Sequence, residues 1–383
     1  EELVLDLLRR HGPLSRSALG THSGLSRTTL HDIVVALLAN GAVVTTQPDV
    51  APGSRGRGRP AETLMLNPDA GHAIGIDFAR RAVHVAIVNV AHEVVGSVSE
   101  PHRADLDWDD RTALAERLVG DLAGDAVGLG ALSAIGVGVV GPVGSPDQEW
   151  ARAESLDDVA RLLRKRFEVP VLLDNNTRLA ALAESVWGAA AGGQDVLYLR
   201  LSYGVGGGLI VGGSLHRGAY GLSGEFGHIT VEPGGAACDC GGAGCLETVA
   251  SVPAVLEAYR AAGGHADDIT DLLAALEAGD ATARDLIGSI GSRVGFVLAV
   301  LCNAIGPRMI VVGGELAEAG AALLDPIERA LSADALPMSR HALSIRRATL
   351  GDAGGALGGI ALVLHESPLL ARYPLEPDSG EPL

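Results

Sequence analysis

The spacing of apolar positions changes period near residue 68, and that change divides the chain. Residues 3–10 (LVLDLLRR) carry apolar side chains at helical spacing. The next stretch, GPLSRSALGTHSGLSRTTLHDIVVALLANGAVV, predicts two more helices and a strand. Ser15 is placed to cap a short helix over residues 15–19. Ser26 is placed to cap a longer one, since a serine hydroxyl accepts a backbone N–H of the first turn. In the longer helix Leu30, Ile33, Val34, Leu37 and Leu38 fall at i, i+3, i+4, i+7 and i+8, which predicts one buried stripe. Asn40-Gly41 tolerates a left-handed C-cap, and residues 42–45 read as a strand. Helix, turn with Gly24, capped helix and apolar strand together form the winged helix-turn-helix pattern.

Beyond residue 68 the pattern becomes strand-like. Segments 74–77 and 83–89 read as a hairpin, 93–97 as a third strand, 107–122 as a helix and 134–139 as a strand. A strand at 169–174 enters a helix at 177–187. Further strands are expected at 196–201, 207–211 and 309–312, with helices at 254–260, 281–305 and 320–332. The order β-β-β-α-β-α, repeated in outline after residue 195, predicts an α/β body of two lobes with a cleft between them.

At 383 residues the chain is long enough for two or three domains. No run approaches the eighteen uncharged apolar residues of a membrane span. The opening EELVLDLLRR lacks the basic, apolar and small-residue order of a signal peptide. Four cysteines, three of them clustered, fit a reducing cytoplasm and a metal better than a disulfide framework. The net charge of −18 argues against a protein that coats nucleic acid. That charge is uneven, because residues 1–68 hold seven arginines against six carboxylates.

The front end therefore remains able to meet DNA. Arg27, Thr28, Thr29 and His31 in the first turn of the capped helix are donors suited to base edges and phosphates. Arg55, Arg57 and Arg59 alternate with glycines in GSRGRGRP, where a wing belongs, and suit insertion into a narrow minor groove. A helical bundle that docks a protein partner, with RGRGRP as a linker, is the other reading. A second chemistry lies in GEFGHITVEPGGAACDCGGAGCLE, where His228, Cys238, Cys240 and Cys245 offer four metal ligands in one short loop. Such a metal would catalyse, read nucleic acid or hold the loop in shape.

Several segments together resemble the ROK family of repressors and sugar kinases, which has the actin-like ATPase fold. They are GVGVVGPVG (136–144), DNNTRLAALAE (174–184), LSYGVGGGLIVGGSLHRGAYGLSGEFGH (201–228), the cysteine loop through GCLE (244–247) and GPRMIVVGGEL (306–316). The resemblance implies a winged helix-turn-helix over 1–68, a first lobe over 69–174 completed by a C-terminal helix at 355–372, and a second lobe over 175–354. It implies a structural zinc on His228, Cys238, Cys240 and Cys245, in keeping with a closed Cys₃His set that leaves no open position. It also implies a sugar held by Asn175, Glu225, His228 and Glu247, with Glu225 and Glu247 alternatively bracing the zinc loop. The glycines Gly138 and Gly141 resemble the turn that lets the main chain approach that sugar.

The kinase pattern itself is broken. Family kinases carry Asn-Asp at the start of the 177–187 helix, and the Asp takes the proton of the attacking hydroxyl. Here Asn176 stands at that position, and an amide is no general base. The phosphate turn Asp-x-Gly-Gly-Thr is replaced by Asp77-Phe78-Ala79-Arg80-Arg81, and Tyr203 replaces a small hydroxyl residue before Gly204. The expected protein is a sugar-responsive DNA-binding regulator, a repressor, working as a homodimer or homotetramer on operator DNA without membrane contact. The alternative is an active ATP-dependent sugar kinase with an added DNA-binding domain.

Overall fold

The computed structural model describes residues 2–39, 41–46, 63–67, 72–89, 93–123, 134–144, 154–340 and 343–366. At the front, α1 (Glu2–His11) and β1 (Leu14–Ser15) precede α2 (Arg16–Ser23) and α3 (Arg27–Ala39). The Ser15 hydroxyl accepts the Ala18 N–H at 3.2 Å, and α2 runs on past residue 19 to a left-handed cap at Gly24. The Ser26 hydroxyl accepts the Thr29 N–H at 3.1 Å and so starts α3. Strands β2 (Val43–Thr46) and β3 (Thr63–Leu66) pair antiparallel, and β1 closes a small sheet of order β1-β3-β2. The expected stripe on α3 is narrower than the spacing implies. Leu30, Val34 and Leu37 are buried, while Ile33 and Leu38 are half-buried at its edge. Val4, Leu7, Leu8, Leu19, Val43, Leu64 and Leu66 complete this core.

The body begins with β4 (His72–Phe78), β5 (Ala82–Asn89) and β6 (Val94–Pro101), joined by antiparallel pairing. Then come α4 (Trp108–Ala123), β7 (Ile135–Val139), α5 (Glu154–Phe167) and β8 (Val171–Asn175), giving a sheet of order β6-β5-β4-β7-β8. After α6 (Asn176–Val186) the plan repeats: β9 (Val196–Leu201), β10 (Val205–Val211) and β11 (Ser214–His216) are antiparallel neighbours. Next are α7 (Glu247–Ala250), α8 (Val252–Ala261), α9 (Ile269–Glu277), α10 (Ala281–Ile305) and β12 (Met309–Gly313). The last elements are α11 (Ala321–Asp334), α12 (Pro337–Arg340), β13 (Ser344–Arg347) and α13 (Gly354–Glu366). The second sheet has order β11-β10-β9-β12-β13, so each sheet arranges its own strands third, second, first, fourth, fifth.

Two helices join the sheets. α13 lies across β4, β5 and β7 and against α6, while α6 also touches β9 and β10. The approach is main chain to main chain: a Cβ at Gly75 or Gly136 would collide with the α13 backbone at Ala356 or Gly359. Only glycine permits such contact. α10 is long and apolar enough to cross a membrane on composition alone, yet its Ile287, Val294 and Leu298 lie in the core and it packs along α11. The pattern-based expectation omits β1, β3, α5, β11, α7, α9, α12 and β13.

Candidate functional site

Where the strand ends of the two sheets face one another, a cavity of about 940 Å³ opens, and Asn175, Glu225, His228 and Glu247 all line it. Each reaches it for a local reason. Asn175 caps α6: its Oδ1 accepts the N–H groups of Thr177 and Arg178 at 2.9 and 3.1 Å, and its Nδ2 donates to the Gly141 carbonyl at 2.8 Å. Gly141 takes φ +94° to present that carbonyl. Gly138 has another role than the one expected, for it lies beneath Asn176, whose Cβ would stand 3.0 Å from an added methyl.

Glu247 opens α7 and accepts the Val205 N–H at 2.8 Å through Oε2, tying the cysteine loop to the start of β10. Among the described residues, no hydrogen bond reaches its second oxygen. Burial raises the Glu225 carboxyl above its ordinary range, opposed by Arg178 and His228. Glu225 Oε2 lies 3.9 Å from His228 Nε2.

The other ring nitrogen of His228 faces sulfur. Nδ1 is 3.5 Å from Cys238 Sγ, and the Sγ atoms of Cys240 and Cys245 are 3.7 Å apart. One ligand atom from each of the four residues lies within 4.8 Å of every other. A tetrahedron of ~2.3 Å Zn–S bonds has edges of about 3.8 Å, close to the two shorter separations, so the donor set and its spacing suit a zinc ion with a small contraction of the wider pairs. Gly244, at φ +67°, keeps the loop tight where a side chain would strike the Glu232 carbonyl.

Asn176 is buried, and its Nδ2 donates to Asp77 Oδ1 at 3.0 Å. Asp77 has no exposure, and burial raises its pKa despite nearby Arg200 and His84. Gly355, in the first turn of α13, leaves room for this carboxylate. In place of a glycine turn, Arg80 and Arg81 project at the cavity wall, and the Arg81 guanidinium lies 5.5 Å from the Tyr203 ring centre.

One feature escapes sequence reasoning. Arg178 is fully buried; its Nη2 pairs with Asp174 at 2.6 Å and also donates to the Val143 carbonyl at 3.0 Å, while Nη1 donates to the Gly221 carbonyl at 2.6 Å. Arg217 adds a 2.6 Å bond to the second Asp174 oxygen. The loops at 143 and 221 are thus held to one guanidinium beneath the cavity. The only sequence signal is the Asp-x-x-x-Arg spacing, which is common on exposed helices.

At the front end Arg27, Thr28, Thr29 and His31 are exposed on the first turn of α3. Thr29 Oγ1 is 2.8 Å from Ser26 Oγ, so it is partly committed to the cap. Arg55, Arg57 and Arg59 lie outside the described residues, as does the stretch 367–372 of the expected C-terminal helix.

Two matching five-stranded sheets, a helix pair between them and a cleft beside a His/Cys₃ cluster define a two-lobed protein of the actin-like ATPase fold. Residues 73–366 match the ROK family, and the chain belongs to it. It is 33% identical to a glucokinase of Halalkalibacterium halodurans, over 76% of this chain and 95% of the relative. It is 29% identical to the DNA-binding transcriptional dual regulator NagC of Escherichia coli, over 94% of this chain and 91% of the relative. The crystal structure of a ROK family transcriptional regulator, a homolog of the E. coli MLC protein, superposes with a TM-score of 0.78 at 25% identity and covers 97% of both chains. The glucokinase match covers less of this chain than the two regulator matches do.

Proposed function

We propose that the chain is a sugar-responsive transcriptional regulator, a repressor, whose kinase-like body senses a sugar and transfers no phosphoryl group. The observation that carries this reading is Asn176. It occupies the place of the kinases' general base and spends its amide on the buried Asp77. Without a base the attacking hydroxyl keeps its proton, a loss of roughly 10²–10⁴-fold in rate by itself. Likeness to regulators over nearly the full length supports the same reading.

In this reading α2 and α3 form the helix-turn-helix. Arg27, Thr28, Thr29 and His31 meet the major groove, and Arg55, Arg57 and Arg59 meet phosphates and the minor groove. Zinc, held by His228, Cys238, Cys240 and Cys245, supplies no chemistry to substrate. It fixes the loop that carries Glu225 and Glu247. The sugar hydroxyls donate to those carboxylates, and His228 Nε2 orients one of them while Nδ1 faces the metal. Two chains pair so that two α3 helices read a palindrome in the cytoplasm.

The glucokinase likeness keeps the kinase reading in view, and one experiment separates them. Operator fragments selected by the full-length protein are titrated with and without a sugar panel while ADP is measured. Sugar-dependent release of DNA without ADP formation is the expected result. Sugar-dependent ADP production at ordinary kinase rates overturns the proposal.

A further inference from the structure

The cavity is larger than one sugar ring fills, and its charged groups fall into two clusters. Glu225, His228 and Glu247 interact with one another at one end. Burial works to lower the Arg200 pKa, yet Tyr198, Asp77, Glu315 and Asp352 around this β9 residue together hold it above its ordinary value. Arg200, Glu315, Asp352 and Tyr203 line the same cavity as the first cluster. Among the described residues, no acceptor lies within hydrogen-bond or ion-pair distance of the Arg200 guanidinium. Its donors therefore face the cavity unspent, although carboxylates surround them.

An unspent guanidinium among carboxylates asks for a ligand that both accepts and donates. A phosphate supplies acceptors only, and its charge would meet three neighbouring carboxylates. Carbohydrate hydroxyls do both: each can accept from Arg200 and donate to Glu315 or Asp352. Tyr203, with Arg81 over its ring, lines the same cavity and adds the aromatic surface that saccharide sites commonly need. We infer that this end is a second saccharide subsite, so that the effector is a glycoside of at least two sugar units, its second unit held by Arg200, Glu315, Asp352 and Tyr203. The inference rests on the regulator reading and extends its sugar site.

Titration calorimetry on the full-length protein tests it with glucose, xylose and N-acetylglucosamine, disaccharides of each (cellobiose, maltose, xylobiose, chitobiose), and glucose 6-phosphate. One disaccharide is expected to bind roughly tenfold or more tighter than its own monosaccharide. In Arg200→Gln, and independently in Glu315→Gln, that margin between disaccharide and monosaccharide should disappear. A monosaccharide that binds as tightly as every disaccharide containing it overturns the second subsite and leaves the regulator reading standing. A preference for glucose 6-phosphate that Arg200→Gln abolishes overturns it in favour of an anion site. If no saccharide in the panel binds, the subsite and the sugar-responsive reading fall together.

Discussion

At position 176 an amide stands where family kinases carry a carboxylate, and Asp77 makes the exchange costly to reverse. Asn176→Asp would put two carboxylates 3.0 Å apart in a buried setting. Only one of such a pair ionises readily. The variant should lose about 1–3 kcal/mol at pH 7 in denaturant unfolding, with a smaller loss at pH 5, and should still form no ADP with sugar and ATP. Asp77 gives a second expectation through its own proton. Its folded pKa is raised by burial, so the folded protein holds that proton to higher pH than the unfolded chain. Stability tied to Asp77 is therefore full at low pH and declines as pH rises from the ordinary carboxylate range through the raised value. The melting temperature of wild type minus that of Asp77→Asn should fall as pH climbs from 4 upward; a flat difference would contradict it. The departure at 176 is legible from its motif. The partner is not, because Asp77 lies 99 positions away and meets Asn176 only through sheet pairing.

Among elements, the cysteine loop and α3 were the most legible, since each announces itself by residues close in sequence. Cys240→Ser should reduce bound zinc from about one per chain to near none by elemental analysis and lower thermal stability with it. Loop and cleft share Glu247, so sugar affinity should fall in step. For α3, Thr28→Ala should change which operator sequence is preferred while leaving the salt dependence of binding nearly intact, because base-edge contacts carry sequence and phosphate contacts carry salt. Selection from a randomised operator library at two salt concentrations checks both. Elements absent from the pattern fail for different reasons. β11 has 3 residues, too few for a period to show, and β13 (SIRR) carries a single apolar residue. α9 begins with a reciprocal Asp268–Asp271 capping box, which differs from the usual Ser/Thr and Glu/Gln form. α5 has Leu156, Val159, Ala160, Leu163 and Phe167 at helical spacing and was open to prediction.

For the whole molecule, the Arg178 pairing holds loops from either side of the cleft to one buried charge. A ligand in the cleft can shift DNA affinity only by preferring one arrangement of the body over another. Coupling of that kind typically amounts to about 5–150-fold. Glu247→Gln retains an acceptor for the Val205 N–H but removes the anionic partner of the sugar. Operator binding without sugar should match wild type, and most of the sugar-induced change should vanish; an unaltered response would move the effector elsewhere. The repeat of strand order was visible in outline from sequence, whereas the Arg178 network required the loops at 143 and 221 to converge. One consequence of α13 concerns time. It covers β4, β5 and β7, yet it begins 179 residues after β8 ends. A ribosome adding ~5–20 residues per second needs roughly 10–40 s for that stretch. Throughout that interval the first sheet emerges with an apolar face bare, so the nascent chain offers chaperones and proteases a surface that the finished protein never shows.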